Sequence, residues 1–389
     1  MRRALAVVDG EHYAPVVRDA LAELPYQVVG AWLAGGTEKL RGAYDVGVPL
    51  FETLEEGLAR AELVVDLSDE PVLGPRERLL LASRVLAAGL PYVGADFRFD
   101  PPVFHPVEVP SLAVIGTGKR VGKTAVTGHV ARLLARDRDV VVVSMGRGGP
   151  PEPIVLETPP TVDELLALSR SGGHAASDYL ETAALAGVTT IGCRRCGGGL
   201  AGATFVSNVL EGARLAAERS PDLIVFDGSG AAIPPVEAGA RLLVAHDVAA
   251  GLNSYRVLIS DLVLTMSDEV AAEARALGAD VARFDLRLRP AEPLAARRTA
   301  LFTTGPAPFE HLPEVVSVSR NLADRRALEE DLRSVDAEVY LVELKAAAID
   351  MVAEAAAARG ARLVFADNEV VAPELDARLL ALADQAVPA

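Results

Sequence analysis

The sequence predicts an α/β protein of parallel sheets in three successive parts. Three observations carry the prediction: Val- and Leu-rich runs alternate with amphipathic stretches, Gly-rich turns follow several of those runs directly, and prolines break the chain over 97–110. From 4 to about 100, strand runs at 4–8, 26–33, 63–66 and 92–93 alternate with helical stretches at 14–24, 54–61 and 75–88. This βαβ pattern predicts an N-terminal Rossmann-like domain over 1–108. Ligands of such open sheets sit beyond the carboxyl ends of the strands. That places Asp9-Gly10-Glu11-His12 and Gly35-Gly36-Thr37-Glu38-Lys39-Leu40-Arg41 on one rim.

Prolines 101, 102, 106 and 110 cannot support regular structure and read as a linker. A second α/β domain is expected over 109–292. It begins with a strand at 112–115, a helix at 124–136 with Val126, Val130, Leu133 and Leu134 on one face, and a strand at 140–144. Further strands fit 189–191, 223–226, 242–245 and 262–264, with helices at 161–169, 175–185, 202–219 and 267–277. The last part, 293–389, reads as a small C-terminal α/β region with elements at 299–303, 315–319, 338–342, 346–359 and 363–365.

Composition narrows the function classes. Apolar runs stay far below the roughly 20 residues a membrane span needs, and the N-terminus reaches Asp9 after only a short apolar run, which fits a first strand rather than a signal peptide. Cys193 and Cys196 are the only cysteines, so no disulfide framework is possible and a cytoplasmic location is expected. As a Cys-x-x-Cys pair they lack the second pair a zinc site needs, and they read as structural. A net charge of −16 repels nucleic acid and anionic lipid. Any anionic ligand must therefore be held by local basic clusters. Of the 38 basic residues only Lys39, Lys119, Lys123 and Lys345 are lysines, and two of these lie in one Gly-rich loop.

That loop, Gly116-Thr117-Gly118-Lys119-Arg120-Val121-Gly122-Lys123-Thr124, sits between the predicted strand and helix, which is the context a phosphate loop requires. Glycines let backbone N–H groups converge on an anion, Lys123 reaches the β- and γ-phosphates of ATP, and the Thr124 hydroxyl serves Mg2+. Thr117 stands where such loops usually carry glycine. The second domain is thus expected to be a P-loop NTPase domain, with Asp227, at the end of the run 223–226, as the second magnesium ligand. Met145-Gly146-Arg147-Gly148-Gly149 and Cys193-Arg194-Arg195-Cys196-Gly197-Gly198-Gly199 put arginines on flexible rims that can clamp phosphate.

Several strings in order resemble the cyclic 2,3-diphosphoglycerate synthetase family over positions 8 to about 240. They are Val8-Asp9-Gly10-Glu11-His12-Tyr13, the 35–41 string, Tyr92-Val93-Gly94-Ala95-Asp96-Phe97, the phosphate loop, the 145–149 string, Ala175-Ala176-Ser177-Asp178-Tyr179, and Thr190-Ile191-Gly192 running into the 193–199 string. The loop is also similar to that of dethiobiotin synthetase, which likewise has threonine at its first position. The resemblance implies an ATP-dependent ligase that closes a phosphoanhydride between the two phosphates of 2,3-diphosphoglycerate, giving ADP and orthophosphate. On that reading Lys119, Arg120, Lys123, Arg147, Arg194 and Arg195 carry catalysis, while His12, Lys39 and Arg41 hold the substrate from the N-terminal domain. A homo-oligomer, with a dimer as the working expectation, completes it. Two alternatives stay open: a P-loop ligase or kinase acting on another small acid, and a regulatory P-loop ATPase.

Overall fold

The computed structural model describes residues 1–40, 44–173, 177–304, 308–344 and 348–388. The chain divides into two compact units. The first comprises Met1–Val103 with Asp247–Ile259 and Glu273–Ala279; the second comprises Phe104–His246, Ser260–Ala272 and Asp280–Ala389.

In the first unit the described residues form a six-stranded sheet in the order Leu50–Phe51, Gln27–Leu33, Arg3–Val8, Leu63–Asp66, Tyr92–Val93, Arg98–Phe99. All pairs are parallel except the last. The central strand is apolar and buried from Ala4 to Val8. Pro75 sits in the first turn of the helix Pro75–Ala87, where its missing N–H removes nothing. The short helix Asn253–Leu258 packs on that helix.

The second unit contains a nine-stranded sheet among the described residues. Its parallel core runs Thr190–Cys196, Val140–Gly146, Leu223–Asp227, Ser111–Gly116, Ala240–Ala245, Leu262–Thr265, Val281–Arg283. Because these strands are parallel, their carboxyl ends share one rim. The strand Ser111–Gly116 lies between two neighbours and is buried throughout. A five-stranded sheet follows, in which Arg362–Val371 pairs antiparallel with Asp285–Pro290 and parallel with Val339–Glu343.

The C-terminal segment also folds back onto the nine-stranded sheet. Leu375, Leu379 and Ala383 of the helix Leu375–Gln385 share one core with Leu112, Val114, Leu242 and Val130. The helix Lys123–Leu134 is tied to this segment by His129 Nε2 with Asp376 at 2.7 Å and by Arg132 with Asp367 at 2.9 Å.

Two local expectations change. Over 202–219 the helix is confined to Val209–Ala217, because Gly202 takes a left-handed φ of 93° and Val206–Ser207 pairs antiparallel with Arg195 and Cys196. The strand expected at 363–365 extends over Arg362–Val371, since Asp285–Pro290 supplies it with a second hydrogen-bonding edge. The starts of the helices expected at 175–185 and 346–359 lie outside the described residues.

Candidate active site

The loop from Gly116 to Gly122 joins the buried strand to the helix Lys123–Leu134. Gly122, at its end, has φ of 90°, and a Cβ there would also lie 3.3 Å from Leu286. Both facts favour glycine. Thr117 earns its unusual place: its N–H donates to Val244 O at 3.2 Å and its Oγ1 accepts from His246 N at 3.0 Å, which fastens the loop to the end of the neighbouring strand. Lys119 and Arg120 are exposed, and Arg120 adopts φ of 60°.

Asp227 ends the central strand Leu223–Asp227 with no exposed surface. Lys123 Nζ donates to its Oδ1, as does Thr127 Oγ1 at 2.8 Å, and Ser144 Oγ reaches Oδ2 at 3.4 Å. Burial pushes this carboxyl up, Lys123 opposes the shift, and the negative charge of Asp178 adds to it. Sequence reasoning singled out Lys123 and Asp227 but not Thr127 or Ser144. Thr127 lies one helical turn after Lys123, on the same face, and Ser144 is in register with Asp227 on the adjoining strand. Thr124 follows Lys123 in the first turn of the helix and is half-buried.

One of the arginine-bearing rims, through Arg195, meets the loop that follows Asp227. Arg195 donates to Gly197 O and to Ser229 O, both at 2.8 Å. Burial and the nearby charge of Arg147 lower its pKa. A Cβ on Gly230 would lie 3.7 Å from Lys119 Cγ and 3.8 Å from an Arg195 guanidinium nitrogen, so this glycine is where the phosphate loop and Arg195 approach each other. Arg147 and Arg194 are exposed, and Asp178 opens the helix Asp178–Ala186 with its carboxylate toward Gly146. The cysteines do not converge: Cys193 is buried, its thiol pushed up to about 12 by burial, while Cys196, three residues on along the strand, is exposed. No cluster of three His, Cys, Asp or Glu side chains suited to a metal occurs among the described residues.

His12 and Lys39 belong to the first unit, while the phosphate loop, Asp227 and the arginines belong to the second. His12 follows the buried strand Arg3–Val8. Asp9, with no exposed surface, accepts from Glu11 N, His12 N and His12 Nδ1 on Oδ1, at 2.9, 3.1 and 2.9 Å, and from Asp69 N on Oδ2 at 2.8 Å. Burial alone would raise this carboxyl, but these donors hold it below the ordinary range. The Tyr44 hydroxyl donates to the carbonyls of Asp9 and His12, closing the turn. The backbone of Lys39 lies in the single turn Thr37–Lys39, and Arg41 lies outside the described residues.

A phosphate loop at the carboxyl rim of a parallel sheet, with a strand-end aspartate against its lysine, defines a P-loop domain. The three domains of cyclic 2,3-diphosphoglycerate synthetase each find a match: the N-terminal domain over residues 3–100, the P-loop domain over 111–282 and the C-terminal domain over 290–369. The chain belongs to the cyclic 2,3-diphosphoglycerate synthetase family. It is similar to the protein of that name from Rubrobacter xylanophilus, 50% identical over 98% of this chain and 97% of the relative. It is also similar to those of Thermococcus kodakarensis, 42% identical over 94% of each chain, and Methanothermus fervidus, 35% identical over 94% of this chain and 92% of the relative. The likeness thus runs well past position 240, where the recognisable strings end.

Proposed function

We infer that this chain converts 2,3-diphosphoglycerate, ATP and Mg2+ to the cyclic phosphoanhydride, ADP and orthophosphate. The carrying observation is the convergence on one sheet rim of the phosphate loop, the Lys123–Asp227 pair and Arg195, in a chain matching all three family domains. Arg195 also presents a buried Nε without a hydrogen-bond partner among the described residues, a donor suited to an added anion.

The residues fit magnesium as well. Asp227 and the Thr124 hydroxyl are hard oxygen donors, and Mg2+ in phosphate sites takes few protein ligands, the rest being phosphate oxygens and water. When bound, the ion neutralises charge on the β- and γ-phosphates. The remaining work falls to the chain. Backbone amides of 117–122 hold the phosphates, Lys123 leaves Asp227 for the γ-phosphoryl group, and Lys119, Arg120, Arg147, Arg194 and Arg195 offset the charge of two anionic substrates brought together. His12, Lys39 and Arg41 hold diphosphoglycerate. The γ-phosphoryl passes to one substrate phosphate, and attack by the other on that phosphorus expels orthophosphate.

The test is phosphorus NMR of the protein with ATP, magnesium and 2,3-diphosphoglycerate, with 2- and 3-phosphoglycerate as controls. A new phosphoanhydride signal with diphosphoglycerate alone, absent in Lys123→Ala, is expected. ATP consumption supported equally by the controls would overturn the reading.

A further inference from the structure

The P-loop rim of the second unit carries an acidic side chain to which the inferred reaction gives no part. Asp178 opens the helix Asp178–Ala186, which leads into the strand Thr190–Cys196 and so descends from the carboxyl rim of the sheet. It packs on the helix Lys123–Leu134, which descends from the same rim after the phosphate loop. The two helices therefore begin side by side. The Asp178 carboxylate stands over the last residue of the strand Val140–Gly146: a Cβ on Gly146 would lie 3.6 Å from its Oδ2. Ser144, two residues back on that strand, is in register with Asp227. The negative charge of Asp178 acts on both Asp227 and Arg195. All of these residues belong to the second unit.

An acid at a helix start ordinarily serves the backbone. Thr161 and Glu164 each accept from the other's backbone N–H, and Asp324 accepts from Arg326 N and Ala327 N. Asp178 has no such task. Among the described residues its carboxylate accepts no hydrogen bond and makes no ion pair, and it is only half-buried. The helix dipole favours a negative charge there, yet that charge would repel the phosphates received at the neighbouring helix start. Arg195 does not remove the conflict, because its guanidinium is engaged by Gly197 O and Ser229 O. A divalent cation does. Mg2+ prefers hard oxygen ligands and binds phosphate and carboxylate together, which turns the repulsion into a shared attraction.

We propose that Asp178 is a carboxylate of the magnesium site, acting with Asp227 and the Thr124 hydroxyl. This rests on the use of ATP and Mg2+ inferred above and draws on residues of the second unit alone.

The experiment compares the full-length wild type with Asp178→Asn and with Asp178→Ser, a residue that a helix start also accepts. ADP binding is measured by calorimetry in the presence of a chelator. Binding of Mn2+, as the probe for Mg2+, to the ADP complex is measured by electron paramagnetic resonance, and circular dichroism establishes that each variant is folded. Both substitutions should raise the Mn2+ Kd about 10- to 100-fold, the loss typical when a supporting group of a metal site is removed. Metal-free ADP should bind about two- to fivefold tighter, since one partly screened negative charge near its phosphates is gone. Unchanged Mn2+ affinity in a folded variant overturns the proposal and leaves Asp178 as a countercharge to the arginines. Weaker metal-free ADP binding also overturns it, because Asp178 would then only support the phosphate loop. A wild type that binds Mn2+ and ADP but makes no cyclic product removes the inferred reaction and leaves this site standing.

Discussion

Asp9 and Asp227 occupy the same place in two parallel sheets, the carboxyl end of a buried central strand, and neither has exposed surface. Their donors differ. Asp9 is held by a histidine side chain and by three backbone amides, and the amides cannot leave without unfolding its loop. Asp227 is held by side chains, chiefly Lys123 on a flexible stem and the Thr127 hydroxyl. The consequence is opposite in sign: the Asp9 carboxyl is held below its ordinary range and the Asp227 carboxyl above it. A carboxylate fixed by amides is part of the fold, whereas one fixed by a mobile cation can exchange that cation for another ligand.

The largest effect should come from Lys123→Ala, which removes the charge that meets the γ-phosphoryl group; cyclisation should fall by more than about 10³-fold. Asp227→Asn should follow, at about 10²- to 10³-fold in activity and with a raised magnesium requirement. Its stability should fall less than that of Asp9→Asn, because burial already opposes the ionised form of Asp227 and an asparagine oxygen can still accept from Lys123 and Thr127. A large loss of stability in Asp227→Asn, measured by circular dichroism, would erase the contrast with Asp9.

Asp9→Asn should do the reverse, costing about 1–3 kcal/mol of stability, the range for an unsatisfied buried polar group. Trp32 is the only tryptophan and lies in the first unit, so its fluorescence reports that unit. The sign with pH follows from the lowered carboxyl. The Asp9 contribution is fully present above the ordinary aspartate value of about 3.9 and is lost as pH falls through the lower folded value. The wild type should therefore lose Trp32-monitored stability on acidification in that window, and Asp9→Asn should lose less. Parallel acid profiles would break the argument.

How much of this was legible in the sequence follows from range. The strand–loop–helix around Gly116–Thr124 and the strand-end Asp227 were readable because local pattern encodes them. The pair of strands Asp285–Pro290 and Arg362–Val371 was harder: Leu286 and Leu288 alternate with Arg287 and Arg289 as an edge strand should, but the pairing joins segments far apart in the chain. The docking of Leu375–Gln385 on the nucleotide sheet is likewise a long-range packing event. At the site, Arg147, Arg194 and Arg195 look equivalent in sequence. Only Arg195 is drawn inward to Ser229, since it alternates with the exposed Arg194 along the strand.

Thr127 gives the smallest and most discriminating test. Its hydroxyl is buried and donates to the same Asp227 oxygen as Lys123, so when Lys123 moves to the phosphates it is the donor that stays. Valine keeps the shape and β-branching of threonine but not the donor, leaving Asp227 to reorient; serine keeps the donor and loses a methyl group. Thr127→Val should lower kcat about five- to tenfold, corresponding to one hydrogen bond of about 1–1.5 kcal/mol, and raise the magnesium concentration for half-maximal rate. Thr127→Ser should restore the magnesium dependence even where the small cavity lowers stability. Equal magnesium dependence in Thr127→Val and wild type would mean that Asp227 is positioned by the strand alone, and the distinction between its mobile donors and the fixed donors of Asp9 would lose its functional content.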